Sequence, residues 1–206
     1  AFANRSSSAD DEYFSDGLAD ELLNVLAKIK GLRVAARTSA FSFKGKQTTV
    51  AEIGSILNVA TVLEGSVRKS GNRVHILVQL VKVFDGFHLW GETYDRTLDD
   101  IFAVQDDIAQ AVVTELRGAL MSEKSNHADE MQVSAEVADA GRDRSENSEA
   151  RRLFLQGRYL LGRKSEAELM RSIDYLKQAV ALDPQFALAW AWLAQALCDA
   201  GGWGSV

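Results

Sequence analysis

Apolar and polar positions along the chain follow a helical rhythm first, then a strand rhythm, then a helical one again. Leu18, Leu22, Leu23, Val25, Leu26 and Ile29 recur at the spacing of one helical stripe, which predicts a helix over residues 11–30. Asp10, Asp11 and Glu12 stand at its positive end, and Lys28 and Lys30 at its negative end, as the helix dipole favours. Gly31 supplies a stop. Residues 32–36 read as a short strand and 39–47 as a loop. Thr49 is placed to cap a second helix carrying Val50, Ile53, Ile56 and Leu57 and ending near Asn58.

From Thr61 the period changes to two. Apolar runs flank a Lys69-Ser70-Gly71-Asn72 corner, with Gly and Asn available for positive φ, so a hairpin is expected whose second strand reaches about Phe84. Asp85-Gly86 is a second turn signal, and residues 87–94 alternate as a further strand, with Phe87, Trp90 and Tyr94 read as core between sheet and helix. Asp99 and Asp100 open a third helix with Ile101, Val104, Ile108, Val112 and Leu116 on one face. Helices interleaved with paired strands predict an α/β (α+β) fold with a mixed sheet over residues 1–121.

Residues 122–148 contain no Phe, Tyr, Trp, Leu or Ile and abound in Ser, Asp, Glu, Asn and Ala. Such a segment buries too little apolar surface to offset ordering, which predicts a flexible linker, in which Val133, Val137 and their alanines can form one weak helical turn or two. Residues 149–206 are helical in pattern throughout. Leu153, Phe154, Gly157, Leu160 and Leu161 mark one helix, and Leu169, Ile173, Leu176, Ala179 and Val180 the next. Phe186 to Ala200, with Trp190, Leu193, Ala194 and Leu197, mark a third. The single proline, Pro184, sits at a helix–helix corner, where a missing N–H costs least.

Composition narrows the function classes. The 206 residues are 47% hydrophobic and 25% charged, enough for one or two domains with real cores. A formal charge of -6 argues against nucleic acid as the main partner, because phosphate binding needs a basic face. One cysteine, Cys198, excludes an internal disulfide framework and suits a reducing compartment, so a cytoplasmic setting is expected; a start at Ala1 without Met leaves the periplasm open. No run approaches the ~20 apolar residues of a membrane span.

Candidate chemistry is thin. The acids Asp10, Asp11, Glu12, Asp16, Asp20 and Glu21 lack the D-x-[DN]-x-[DN]-G spacing of a calcium loop. The run FKGKQT at residues 43–48 lacks the first glycine and the terminal Ser or Thr of a phosphate loop; its lysines, with Arg33, Arg37 and Arg68, make at most a small basic surface. His75, His88 and His127 have no zinc spacing; packing is expected for the first two, and a small core or groove role for Cys198. No nucleophile elbow or triad assembles. Neither catalytic residue, cofactor nor metal is expected.

Two resemblances add to this. Trp190, Leu193, Ala194 and Leu197 meet the tetratricopeptide spacing W-x₂-L-G-x₂-Y in degenerate form, and the preceding helix with Ser172, Leu176, Ala179 and then Pro184 looks like a repeat's second helix. Gly157, Ala179 and Ala194 fit the close crossings such repeats need. Gln156 departs from the pattern, and the first turn is about three residues longer than usual. Residues 149–206 would thus hold about one and a half repeats of a longer array. Residues 1–121 resemble the TolB-like N-terminal domain that precedes such repeats in multidomain bacterial proteins. DEYFSDGLA from Asp11, RVAARTS from Arg33, FKGK from Phe43, VLEGSVR from Val62, GFHLWGETYDR from Gly86 and DIFAVQDDIA from Asp100 carry the match. That family commonly follows a class III adenylate cyclase, a protein kinase or a winged-helix DNA-binding domain. The resemblance implies a non-enzymatic regulatory module that docks a protein partner, the alternatives being the C-terminal regulatory part of an adenylate cyclase or an accessory region of a winged-helix regulator. It implies a partner groove on the first helices of the repeats, at Arg151, Arg158, Leu188 and Gln195, the competing reading being that the arginines form a solvated face. It also implies an apolar first strand ending at residues 1–4, so that an incomplete sheet would favour self-association.

Overall fold

A computed structural model describes residues 1–7, 11–97, 101–121, 127–141, 145–163 and 165–203. The chain divides into two compact units, Ala1–Gly141 and Arg142–Val206. The first holds β1 (Ala3–Asn4), α1 (Glu12–Lys28), α2 (Arg37–Phe41), α3 (Val50–Leu57), β2 (Thr61–Ser70), β3 (Arg73–Lys82), β4 (His88–Thr97), α4 (Ile101–Met121) and α5 (His127–Ala140). The second holds α6 (Ser148–Leu161), α7 (Glu166–Leu182) and α8 (Ala187–Trp203). A mixed α/β fold followed by a helical region is therefore what the chain adopts.

The sheet runs β1-β2-β3-β4, with β1 parallel to β2 and the remaining pairs antiparallel. Ser70 opposite Arg73 leaves a two-residue loop in which only Gly71 takes a positive φ, the type II′ pattern that matches strand twist. Val74, Ile76, Val78 and Leu80 on alternate positions of β3 are almost wholly buried. α4 packs on β3 and β4, and α1 packs on α4 and β1, closing a core that includes Leu18, Leu22, Val25, Ile108 and Val112. α3 packs against β2. Thr49 caps α3 through a reciprocal box with Glu52, and Asn58 ends it in the left-handed region at φ 52°. At Gly54 a Cβ would lie 2.3 Å from Val83 Cγ1, so a glycine is what admits the helix this close.

Four expectations fail here, each for a local reason. Residues 32–36 join no strand of the sheet; the run is short, and the chain past it is tied to α1 by Arg37. The loop expected over 39–47 begins inside α2. Phe87 lies in the β3–β4 turn, where its N–H donates to Asp85 Oδ1 at 3.1 Å and its carbonyl accepts from Lys82, and this leaves the ring 73% exposed. His88 is exposed as well, at the start of β4.

Of the linker expected over 122–148, residues 127–140 form α5 instead, within the first compact unit, while 122–126 and 142–144 lie outside the described residues. The buried stripe of α5 is Val133, Val137 and Ala140, spaced i, i+4 and i+7, and the helix packs on α1 and α4. Small residues suffice because the stripe is narrow and polar ties hold its middle and its C-terminal end. Lys28 Nζ donates to the Ala140 carbonyl at 2.9 Å, and Arg117 pairs with Glu136 at 2.7 Å.

In the second unit α6 and α7 form the closest pair, and α8 packs on α7 and touches α6. Asn147 caps α6 by accepting from Ala150 N, Ser165 caps α7, and Ser145 joins Asp183 at the α7–α8 corner. A Cβ at Gly157 would lie 2.7 Å from Leu176 Cγ, so the α6–α7 crossing needs that glycine. Ala179 is fully buried, as the close-crossing reading requires; Ala194 is exposed, and Ala189, Leu193 and Ala196 form the buried face of α8 in its place.

Candidate functional site

Arg151 and Arg158 stand seven residues apart on α6, as Leu188 and Gln195 do on α8, and that spacing returns each pair to one helix face. The structure buries the arginines: Arg151 is 8% exposed and Arg158 9%, which overturns the solvated-face reading. Arg158 lies with its guanidinium carbon 5.3 Å from the Phe154 ring centroid and 5.8 Å from that of Trp192, so one cation bridges aromatic rings of two helices. Phe154 in turn packs on Phe186 with centroids 4.9 Å apart. Leu188 is half-buried, and Gln195 is exposed with its amide donating to Asp199 Oδ1 at 2.8 Å. Of the four, Arg158 is tied to α8 through Trp192, which stands between Leu188 and Gln195 on that helix. Trp192 was missed because its indole breaks no periodicity; only its place between Leu188 and Gln195 points to it.

There the two helices meet through a cation set against aromatic rings. Cys198 is exposed on α8 rather than packed. Trp190 and Leu197 are also half-exposed, with the Trp190 indole N–H donating to the Pro184 carbonyl at 3.0 Å.

A second cluster lies in the first unit and was invisible in the local sequence. Lys44 Nζ reaches Asp16 Oδ2 at 2.6 Å and Glu12 Oε1 at 2.7 Å, and Arg37 Nε meets Asp20 Oδ2 at 2.8 Å. Asp16 and Asp20 are buried positions on α1, so their charges demand partners. Burial works against the Lys44 charge, but the Asp16 and Glu12 carboxylates outweigh it and hold the lysine above its ordinary pKa of 10.5. Lys44 and Arg37, expected on a basic surface, are consumed in this ionic clasp, which also occupies Glu12, Asp16 and Asp20 of the acids considered for a cation; Asp11 pairs with Lys69 at 2.8 Å, and Asp10 lies outside the described residues. Among the described residues no group of three or more His, Cys, Asp or Glu is arranged to hold a metal.

On β4, Tyr94 is buried and donates its hydroxyl to Glu92 at 3.0 Å; burial, then the Glu92 carboxylate, pushes its phenol far above the usual range. His75 is half-buried in β3 and pairs with Asp95 across the strands at 2.9 Å, holding the Asp95 carboxyl below its usual range. Between α1 and α5 a cleft of about 570 Å³ is lined by Lys28, Lys30, Glu136 and Asp139 among others, cations facing acids. Among the described residues no helix is long and apolar enough to cross a membrane.

No model of a known protein family matches the chain. It is similar to putative adenylate cyclase 3 of Rhizobium meliloti (strain 1021), 44% identical over 116 residues that cover 56% of this chain. Those residues make up 20% of the relative, so the match spans about a fifth of that protein's length.

Proposed function

We propose that this chain is a non-enzymatic recognition segment of a larger signalling protein: a TolB-like sheet domain followed by the start of a tetratricopeptide-type array that docks a protein partner. The observation that carries the reading is Arg158, a nearly buried cation held against the rings of Phe154 and Trp192 on two different helices. A guanidinium stacked on aromatic rings belongs to the residue types that dominate protein recognition, and it fixes the α6–α8 surface on which a partner would lie. Leu188 and Gln195 then add one apolar and one hydrogen-bonding position along the same surface. The mechanism is burial of a partner segment over α6 and α8, which alters an effector joined to the same chain. The likeness to a protein named as an adenylate cyclase supports a cyclase as that effector, with catalysis residing outside these 206 residues.

Screening residues 1–206 on a peptide array tests the reading. Acidic, apolar-anchored peptides are expected to bind, and Arg158→Ala is expected to weaken them at least tenfold with the helices intact by circular dichroism. Capture indifferent to Arg158 and Leu188, or none at all, contradicts it.

A further inference from the structure

We infer that a second copy of this chain pairs with the outer edge of β4, joining two four-stranded sheets across a two-fold axis at Tyr94. β4 is the last strand of the sheet and ten residues long, about twice the usual strand, with no proline or lysine to blunt it. The axis lies at the opposite edge from β1, where the sequence alone directs attention.

Hydrogen bonds fix which backbone groups of β4 face outward. Val67 O accepts from Arg5 N at 2.7 Å and Lys69 N donates to Ser6 Oγ at 2.9 Å, so the odd-numbered residues of β2 bond toward β1. The even-numbered ones then bond to β3, Ser66 to Leu77 and Arg68 to His75. By the same alternation Ile76 and Val78 bond to Tyr94 and Glu92. The N–H and C=O groups of Gly91, Thr93 and Asp95 are left pointing away from the sheet. The Arg96 guanidinium folding back on the Asp95 carbonyl at 3.0 Å agrees with that direction. All three residues are exposed.

Charge selects the register. With the axis at Tyr94, Glu92 of each copy stands opposite Arg96 of the other, and Thr93 and Asp95 exchange backbone hydrogen bonds. Moving the axis to Glu92 or to Asp95 sets like charges face to face, and moving it to Thr93 leaves both ion pairs unmade. An axis between residues opposes inward-bonding groups to outward ones. One register satisfies both backbone and charge, and it is self-complementary, as a two-fold interface must be.

Sedimentation equilibrium on residues 1–206 at low ionic strength tests this. The chain is expected to dimerise in the micromolar range. Glu92→Arg and Arg96→Glu each place like charges opposite one another and are expected to weaken the dimer at least tenfold. An equimolar mixture of the two variants restores it, because each then supplies the other's counter-charge. Thr93→Pro removes an outward N–H and no rung to β3, so it abolishes pairing while the melting transition persists. A chain monomeric at high micromolar concentration, a dimer indifferent to Thr93→Pro, or two folded monomeric variants that fail to pair when mixed overturns the inference. So does a monomer that captures unrelated extended peptides along β4, which assigns the edge to another occupant. Should Glu92→Arg lose its fold with the Tyr94 hydrogen bond, Arg96→Glu and Thr93→Pro decide alone.

Discussion

In residues 1–141 buried carboxylates are satisfied by ion pairs to cations outside their own helix, whereas in residues 142–206 buried polar groups meet carbonyls, hydroxyl partners and rings at helix crossings and corners. Asp16 and Asp20 wait for Lys44 and Arg37, β1 pairs with a strand more than fifty residues on, and Lys28 closes a helix 112 positions away. In the helical unit, Ser172 donates to the Gly157 carbonyl across one crossing, and Arg158 reaches only to the helix after next. The first unit depends on charges finding counter-charges outside their own element, and the second on the shapes of a few residues at each crossing. The two units also use cations differently: Lys44 and Arg37 meet carboxylates in the first, and Arg158 meets aromatic rings in the second.

The strongest way to break this contrast is Phe154→Ala. The ring is 1% exposed and packs on Phe186, so about 3–5 kcal/mol of stability is expected to be lost. Hydrogen exchange is expected to rise throughout 145–203 while the core strands of the first unit keep their protection. Gly157→Ala reverses the usual sign for a helical glycine. An alanine normally gains up to about 1 kcal/mol, but here the added methyl meets Leu176, and a loss of about 1–3 kcal/mol is expected by denaturant unfolding.

Lys44→Met probes the other unit. It leaves Asp16 and Glu12 without their lysine, and a loss of about 1–3 kcal/mol at neutral pH is expected. The pH dependence carries a sign. Lys44 has a folded pKa above its ordinary 10.5, so its contribution is complete below that value and is lost as pH rises through the folded pKa. Melting of the wild type should therefore fall in that alkaline window more steeply than melting of Lys44→Met. The smallest effect is expected from Thr49→Ala, which removes a cap on α3 and costs about 1 kcal/mol.

Legibility followed the same division. The Gly71 turn, the Thr49 cap and the Asn58 stop were readable because each depends on a few adjacent residues. The stripe of α5 was not, since three small side chains barely register against so many polar neighbours. The clasp was hidden because α1 carries Asp16 and Asp20 at positions that look solvated until Lys44 and Arg37 arrive. Of the surface in the helical unit, Arg151, Arg158, Leu188 and Gln195 were reached through resemblance to a repeat, but the burial of both arginines and the part of Trp192 required the packing of α6 on α8.

The account rests on recognition without chemistry, and nucleotide turnover tests that most directly. Purified residues 1–206, incubated with ATP or GTP and magnesium or manganese, are predicted to yield no cyclic nucleotide above a protein-free control. Sustained formation of cyclic AMP or cyclic GMP by this chain alone contradicts it.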